Sequence, residues 1–540
     1  MNTLHTAAAP AAPSVAPSAR PRRWFRFAAF ALLLAAIGLL ARPAAALEVT
    51  ELKMADANKV IVMVRFRAGS IGDPSDKLGL TYATANLMTQ GGAGGRDYGE
   101  IQDMLYPWAA GYSVLVDKEV TTFMFQVPAD FVDDFYPIVR DVLLKPDFAE
   151  EDFSRVMKNQ QNYVDQVIRA SSDEDYSKMA LEHLLFRGTN MAHMKQGNSA
   201  TVANITLDDV KAHYAKVFTQ GNVHLGLAGN YDDGLREKLK ADLATLPNET
   251  YTPPAPGEAR TPEGVVVEII AKEGAFGSAI YTGAPLSITR ADDEFAALMV
   301  ANSWMGEHRK SYSRLYQKIR EARSMNYGDY SYIEWYEAGG QNQLPPFGVP
   351  RSSNYWAIWI RPVQIAKQLR AQYEELAEVE VGHAHFALRM AIKEFDQLIE
   401  KGMSAEDFEA TRTFLRSYTK LYAQSPGEQL GWLMDAEFYG REDYLAELDA
   451  LLAEVSLEAV NAALREHWQT DNLFVTIVTD TSEAQPLADA LIANTPSPMS
   501  YSNLVAAGLD DEIKAEDDRV ATYPLNVKKV TVVESADTFE

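Results

Sequence analysis

From Val49 to Ala68 apolar and polar positions follow the two-residue period of β-strands, with the most strand-like run at Val60–Arg67 (VIVMVRFR). The period then becomes helical over Leu78–Thr89 and Tyr98–Met104. A hairpin is predicted next, Gly111–Val116 and Val120–Val127 around the charged turn Asp117-Lys118-Glu119, closed by Pro128. Helical spacing returns over Asp130–Val142 and Glu150–Ile168. Thr206–Phe218, with Thr206 as N-cap, feeds a strand at Asn222–Ala228.

Thr250–Pro262 (TYTPPAPGEARTP) has the composition of an extended linker, and beyond it the pattern restarts. Strands are expected at Val265–Ile270 and Ala279–Gly283, helices at Asp292–Trp304 and Tyr312–Ala322, then strands at Tyr327–Tyr336 and Tyr355–Ile360. A helical stretch, His385–Tyr439, and one more helix–strand pair follow. Residues 338–353 (AGGQNQLPPFGVPRSS) read as an insertion between strands. An acidic segment, Asp510–Asp518, precedes a strand at Val527–Val533 that returns to a sheet.

The restart is a repeat. Thr206-Leu207-x-x-Val210, Phe218 and Asn222 match Ser456-Leu457-x-x-Val460, Trp468 and Asn472 without a gap, and Glu151-Asp152-Phe153 matches Glu406-Asp407-Phe408 at a similar offset. This argues for an α+β protein of two duplicated α/β units, each a mainly antiparallel sheet packed with helices. The expected division is 1–46 as a signal peptide, 47–249 as the first unit, 250–263 as linker, 264–495 as the second unit, and 496–540 as the acidic segment and last strand.

Composition narrows the possibilities. A net charge of −25 argues against nucleic acid and anionic membrane surfaces as partners, and the absence of cysteine removes disulfides and thiolate metal sites. Arg20-Pro21-Arg22-Arg23, the apolar run Phe27–Ala41 and Ala44-Ala45-Ala46 form the three regions of an export signal cleaved after Ala46. That places the mature chain in the periplasm without stable membrane insertion, by general export or, given Arg22-Arg23-Trp24-Phe25-Arg26, the twin-arginine route. A retained anchor is the alternative, although the apolar run is shorter than the roughly 20 residues of a spanning helix.

The candidate chemistry lies where the first strand meets the first helix. A strand, then Ala68-Gly69-Ser70-x-x-Asp73-Pro74, then a helix opened by Gly79-Leu80 and ended by the Gly91–Gly95 turn, resembles the start of pitrilysin/insulinase-like (mitochondrial-processing-peptidase-like) zinc metallopeptidases. In that family the helix carries His-x-x-Glu-His, two imidazoles that bind Zn²⁺ and a Glu that activates water. On this frame the positions fall on Tyr82, Ala85 and Asn86, and the family's third ligand falls at Asn162 and Tyr163, with Asp165 the nearest carboxylate. Ala85 has no proton acceptor, and Tyr82 and Asn86 are poor zinc ligands. The resemblance therefore implies a chain with no metal and no catalytic residues of its own.

Ser313-Arg314-Leu315-Tyr316-Gln317-Lys318-Ile319-Arg320-Glu321, continuing to Tyr327, resembles a second segment of the same family. In its heterodimeric members a pair matching Arg320 and Tyr327 comes from the non-zinc subunit and reaches the partner's active site. A guanidinium clamps a carbonyl or carboxylate, and a phenol donates to an oxyanion. The bland reading is a surface ion pair and a core tyrosine.

Other signals are weaker. His383-x-His385 with Glu378 and Glu380 has metal-ligand chemistry, but a solvated loop or cap explains it as well. His193 reads as structural, and His183, His213, His224, His308 and His467 as isolated core or surface residues. Gly91–Gly95 lacks the Lys-Ser/Thr of a phosphate loop. The aromatics of Tyr330–Tyr336 alternate at strand spacing and either line a peptide cavity or pack between layers.

The resemblance thus implies an exported pseudo-peptidase subunit, inactive alone. It would bind peptide and complete the active site of a homologous zinc-bearing partner in a heterodimer. The alternative is a peptide- or protein-binding scaffold with no role in proteolysis.

Overall fold

Two sheets with the same strand order organise the molecule, for which a computed structural model describes residues 47–249, 251–334 and 346–539. The signal-peptide segment, Trp335 and Tyr336, and the 338–345 part of the insertion lie outside the described residues. The first sheet runs β1-β5-β2-β4-β3, with β1 Glu48–Lys53, β2 Lys59–Phe66, β3 Gly111–Val116, β4 Thr121–Pro128 and β5 Val223–Gly229. The second runs β11-β6-β10-β7-β9-β8, with β6 Val265–Ala271, β7 Ser278–Leu286, β8 Asp329–Tyr332, β9 Asn354–Val363, β10 Phe474–Thr479 and β11 Val527–Glu534. In each sheet one parallel pair, β1–β5 or β6–β10, is followed by three antiparallel pairs in the same order. Strand β11 adds in parallel to the outer side of β6. The molecule is α+β, two sheets packed with helices.

Helices cover both faces of both sheets. The main ones are α1 Leu80–Gln90, α2 Glu150–Asn162, α3 Asp173–Phe186, α4 Leu207–Val217, α5 Glu294–Gly306, α6 Ala384–Lys401, α7 Ala405–Tyr418, α8 Pro426–Phe438 and α9 Leu457–His467. Thr206 caps α4 and Ser456 caps α9, each accepting from the backbone three residues on, so the repeated Thr/Ser-Leu pair marks two equivalent helix starts.

The even-numbered residues Val60, Val62, Val64 and Phe66 of β2 face the first unit's own core, with Ala85 and Met88 of α1. Ile61 and Met63 face Leu430 and Met434 of α8, a helix from the second half of the chain. Reciprocally, α3 from the first half packs on β7 and β10 of the second sheet, where Ser177 meets Thr476. Each half thus lends a helix to the other's sheet. Gly226 leaves room for α8, since a Cβ there would stand 2.4 Å from Met434 Sδ.

Some elements differ from the sequence pattern. The expected helix Tyr312–Ala322 shortens to 314–321, π-helical over Tyr316–Glu321, and Ser324 in the left-handed region follows its end. His385–Tyr439 divides into α6, α7 and α8, broken at Gly402 with positive φ and at the capping box of Ser425 and Glu428. Helix α3 has no apolar stripe to read because it is buried on nearly every side.

Candidate functional site

Helix α1 begins under the control of Asp73, whose carboxylate accepts from the amides of Gly79 and Thr81 at 2.8 and 2.9 Å and from Thr81 Oγ1 at 2.5 Å. Gln160 of α2 donates to Gly79 O at 3.0 Å and Gln196 O at 2.9 Å, and Thr81 Oγ1 meets His213 Nε2 at 2.9 Å. The AGSxxDP turn is held by His193, whose Nε2 lies 3.0 Å from Ser70 O, a structural role. The frame that would present a metal motif is therefore built and well braced.

The motif positions do not fit the zinc such a frame implies. Ala85 is fully buried in the first core, with no side-chain oxygen or nitrogen. Asn86 donates to Tyr82 O at 2.9 Å and accepts from Gln90 Nε2 at 2.8 Å, so its amide is engaged along the helix. At the third-ligand position α2 ends on exposed Asn162 and runs into a π-helical turn, Tyr163–Val167. Asp165 accepts from Gln161 Nε2 at 2.9 and 3.0 Å. Among the described residues, two His/carboxylate groups bring ligand atoms within 4.8 Å of one another, Glu48/His224/Glu437 and Glu294/Glu466/His467, and neither lies on α1 or α2. One carboxylate and no imidazole make no zinc centre.

Arg320 and Tyr327 sit on the second half. Arg320 lies in the π-helical segment, its side chain 38 % exposed, paired with Glu321 at 3.0 Å and stacked 4.9 Å over the Tyr316 ring. Tyr327 is 80 % exposed, which excludes the core-filling role for it. Arg320 shows the surface ion pair of the bland reading, while keeping a face open to solvent. These polar contacts of Arg320 do not involve α1.

The remaining sequence candidates resolve into packing. His383 Nε2 bonds Ser500 O at 3.1 Å, and burial pushes His383 down to about 4 and His385, with Arg389 beside it, down to about 3. The Gly91–Gly95 connector donates from Gly92 N to Asp152 and from Gly95 N to Asp147. Tyr330 and Tyr332 are buried beside Trp359 and His308, in the apolar cluster that the second sheet shares with Leu181, Leu184 and Phe186 of α3.

Sequence reading missed the polar seam between the halves. Arg351, the sequence insertion's last charge, is wholly buried against Asp117 and Glu182, and Arg65 of β2 pairs with Asp435 of α8 at 2.7 Å. Arg290 pairs with Glu334 at 2.8 Å and lies over the rings of Trp432, Tyr439 and Tyr444. Arg351 and Asp117 stand 234 residues apart and Arg65 and Asp435 370, and even Arg290 and Glu334 are separated by 44, so no local pattern pairs them.

Comparison with known proteins accords with this geometry. Residues 49–195 match the family model described as insulinase (peptidase family M16), and residues 204–415 match the peptidase M16 inactive domain. The non-peptidase homolog YmxG of Helicobacter pylori is 23 % identical over 427 residues, covering 78 % of this chain and 88 % of its own. In fold, the chain is similar to a peptidase M16 inactive domain from Pseudomonas fluorescens, with TM-score 0.67, 19 % identity, and coverage of 81 % of this chain and 97 % of that one. A protease from Helicobacter pylori gives TM-score 0.64 at 12 % identity, over 80 % of this chain and 97 % of that one. Matched in succession by two models of one family, the second of them the inactive domain, the chain belongs to the M16 pitrilysin/insulinase-like peptidases as an inactive member.

Proposed function

We propose that this chain is the non-catalytic subunit of an exported heterodimeric M16 peptidase, acting in the periplasm beside a homologous chain that carries the zinc. The carrying observation is the pairing of a disabled α1 with an exposed Tyr327, an aromatic ring that the fold does not use for packing. Strand β3 is an edge of the first sheet and packs beside α1, so a peptide can add to it through its backbone alone. Arg320 and Tyr327 then serve the partner's active site, the guanidinium on a substrate carbonyl or carboxylate and the phenol on the oxyanion. The second reading, a peptide- or protein-binding scaffold with no role in proteolysis, draws on the same lost ligands.

Co-expression with an exported homologue bearing intact His-x-x-Glu-His tests this. The two chains should co-purify, and the mixture should cleave unstructured peptides that each chain alone leaves intact. A zinc-bearing homologue that is fully active alone and unaffected by this chain would leave the scaffold reading.

A further inference from the structure

Away from α1, three ligand-bearing side chains converge from parts of the chain that sequence reading kept apart. Glu48 on β1 and His224 on β5 are direct partners across the parallel ladder, so their side chains leave the sheet on the same face. Helix α8 lies across that face, where Gly226 leaves it room, and places Glu437 over His224 with Oε2 and Nε2 3.0 Å apart. The nearest ligand atoms of all three residues fall within 4.8 Å of one another. His224 had read as isolated; its companions are 176 and 213 residues away.

We propose that Glu48, His224 and Glu437 form a binding site for a divalent transition cation of the zinc class. The mixed set of one imidazole and two carboxylates suits Zn²⁺ or a neighbouring first-row ion over Mg²⁺ or Ca²⁺, which take oxygen ligands alone. Glu437 Oε2 is buried facing His224 Nε2 at 3.0 Å, and Nε2 also meets Thr50 Oγ1 at 2.7 Å, so an ion entering the group takes the place of the proton shared at Nε2. The other oxygen, Oε1, accepts from Thr50 Oγ1 at 2.5 Å, which fixes the carboxylate's orientation as outer-sphere bonds do around metals.

Charge supports the assignment. Two carboxylates neutralise a divalent ion, and the nearby charge of Arg65 is already matched by Asp435 at 2.7 Å. Arg67 approaches Glu48 at 3.5 Å, but this half-exposed pair is a weak competitor. Tetrahedral ligand atoms stand about 3.4 Å apart at the usual bond lengths, so closing around an ion needs Glu48, half exposed on an edge strand, to move in and His224 Nε2 to give up Thr50 Oγ1. The absence of ligands on α1 has no bearing here, and a bound ion would tie β1 to the helix that the second half lends to the first sheet.

The test is titration of the chelator-stripped chain with Zn²⁺ by calorimetry, with the melting midpoint read alongside. One equivalent should bind, the midpoint should rise, and Glu48→Gln and His224→Gln should each weaken binding by more than about tenfold. Glu48→Gln changes a half-exposed side chain, so it separates lost ligation from lost folding. His467→Gln, in the surface group Glu294/Glu466/His467, should leave the stoichiometry and affinity unchanged. No binding, adventitious binding that Glu48→Gln and His224→Gln leave intact, or binding abolished only by His467→Gln would each overturn the assignment.

Discussion

Arg351 grips Asp117 with two parallel hydrogen bonds, Nε to one carboxylate oxygen at 2.7 Å and Nη2 to the other at 2.9 Å. Its third nitrogen reaches Glu182 of α3 at 2.8 Å, and Lys118 meets the same Glu182 at 3.2 Å. Neighbouring Gly348 donates to Asp435 on α8, so this one segment joins the β3–β4 turn, α3 and α8. Removing one member of such a buried group strands its partner's charge, which costs far more than the pair's net worth. Arg351→Met is therefore expected to destabilise the chain by about 3–5 kcal/mol, and adding Asp117→Asn to recover part of that loss. Urea unfolding of the two variants measures both. A loss under about 1 kcal/mol would mean the seam is bridged by water and adaptable.

His193 gives a pH dependence with a definite sign. Burial, with Lys118 adding repulsion, holds its imidazole down to about 3 in the folded chain, while its backbone bond to Ser70 opposes this; the unfolded value is about 6.5. Glu182 and His183 are the other titratable groups acting on it. Below pH 6.5 the unfolded chain takes up a proton that the folded chain refuses, so the stability due to His193 is complete above 6.5 and is lost as pH falls towards 3. Relative to His193→Gln, the native chain should lose about 1.4 kcal/mol per pH unit below 6.5, hence about 2 kcal/mol by pH 5. Urea midpoints of both proteins at pH 7.5, 6 and 5 give the difference directly. Parallel decline would show that His193 charges as readily folded as unfolded.

Local chemistry in the sequence carried much of this structure. The β3–β4 hairpin was readable because its turn is charged and Pro128 closes it, and the caps at Thr206 and Ser456 announced α4 and α9. Helix α3 escaped because it is sandwiched between the second sheet and the seam, so tertiary burial erased the stripe on which helical periodicity depends. Tyr82, Ala85 and Asn86 read as a disabled motif by their spacing, which sets the three on one face of α1. Glu48, His224 and Glu437 were not legible as a group, since a ladder register and a helix crossing bring them together and neither can be read from spacing.

Ala85 decides what the chain does by itself. On the proposed frame Ala85 stands at the general base's position, and α1 carries no carboxylate or imidazole to take a proton from water. Purified alone, the chain is expected to leave unstructured peptides uncut from pH 5 to 9, whatever cation is supplied. Sustained cleavage that co-elutes with the chain and vanishes in a variant of some other residue would place a hydrolytic centre elsewhere in the molecule.

Arg320 and Tyr327 separate a working subunit from a scaffold. Arg320 projects from the π-helical segment Tyr316–Glu321 and Tyr327 from the loop after it, and neither supports the core, so Arg320→Ala and Tyr327→Phe should leave the melting midpoint and co-purification with a zinc-bearing partner unchanged. If the Tyr327 hydroxyl donates to the oxyanion, its loss should appear mainly in kcat, as a fall of about 10²–10³ in the mixed complex. A clamp that holds ground and transition states equally contributes uniform binding, so Arg320→Ala should raise KM with kcat nearly intact. Exposure makes this split decisive. Loss of folded protein would lower kcat in proportion to the melting change in both variants, whereas lost contacts leave the melting curve still. Full activity from both variants, with the partner's zinc confirmed, would assign the chain to the scaffold class.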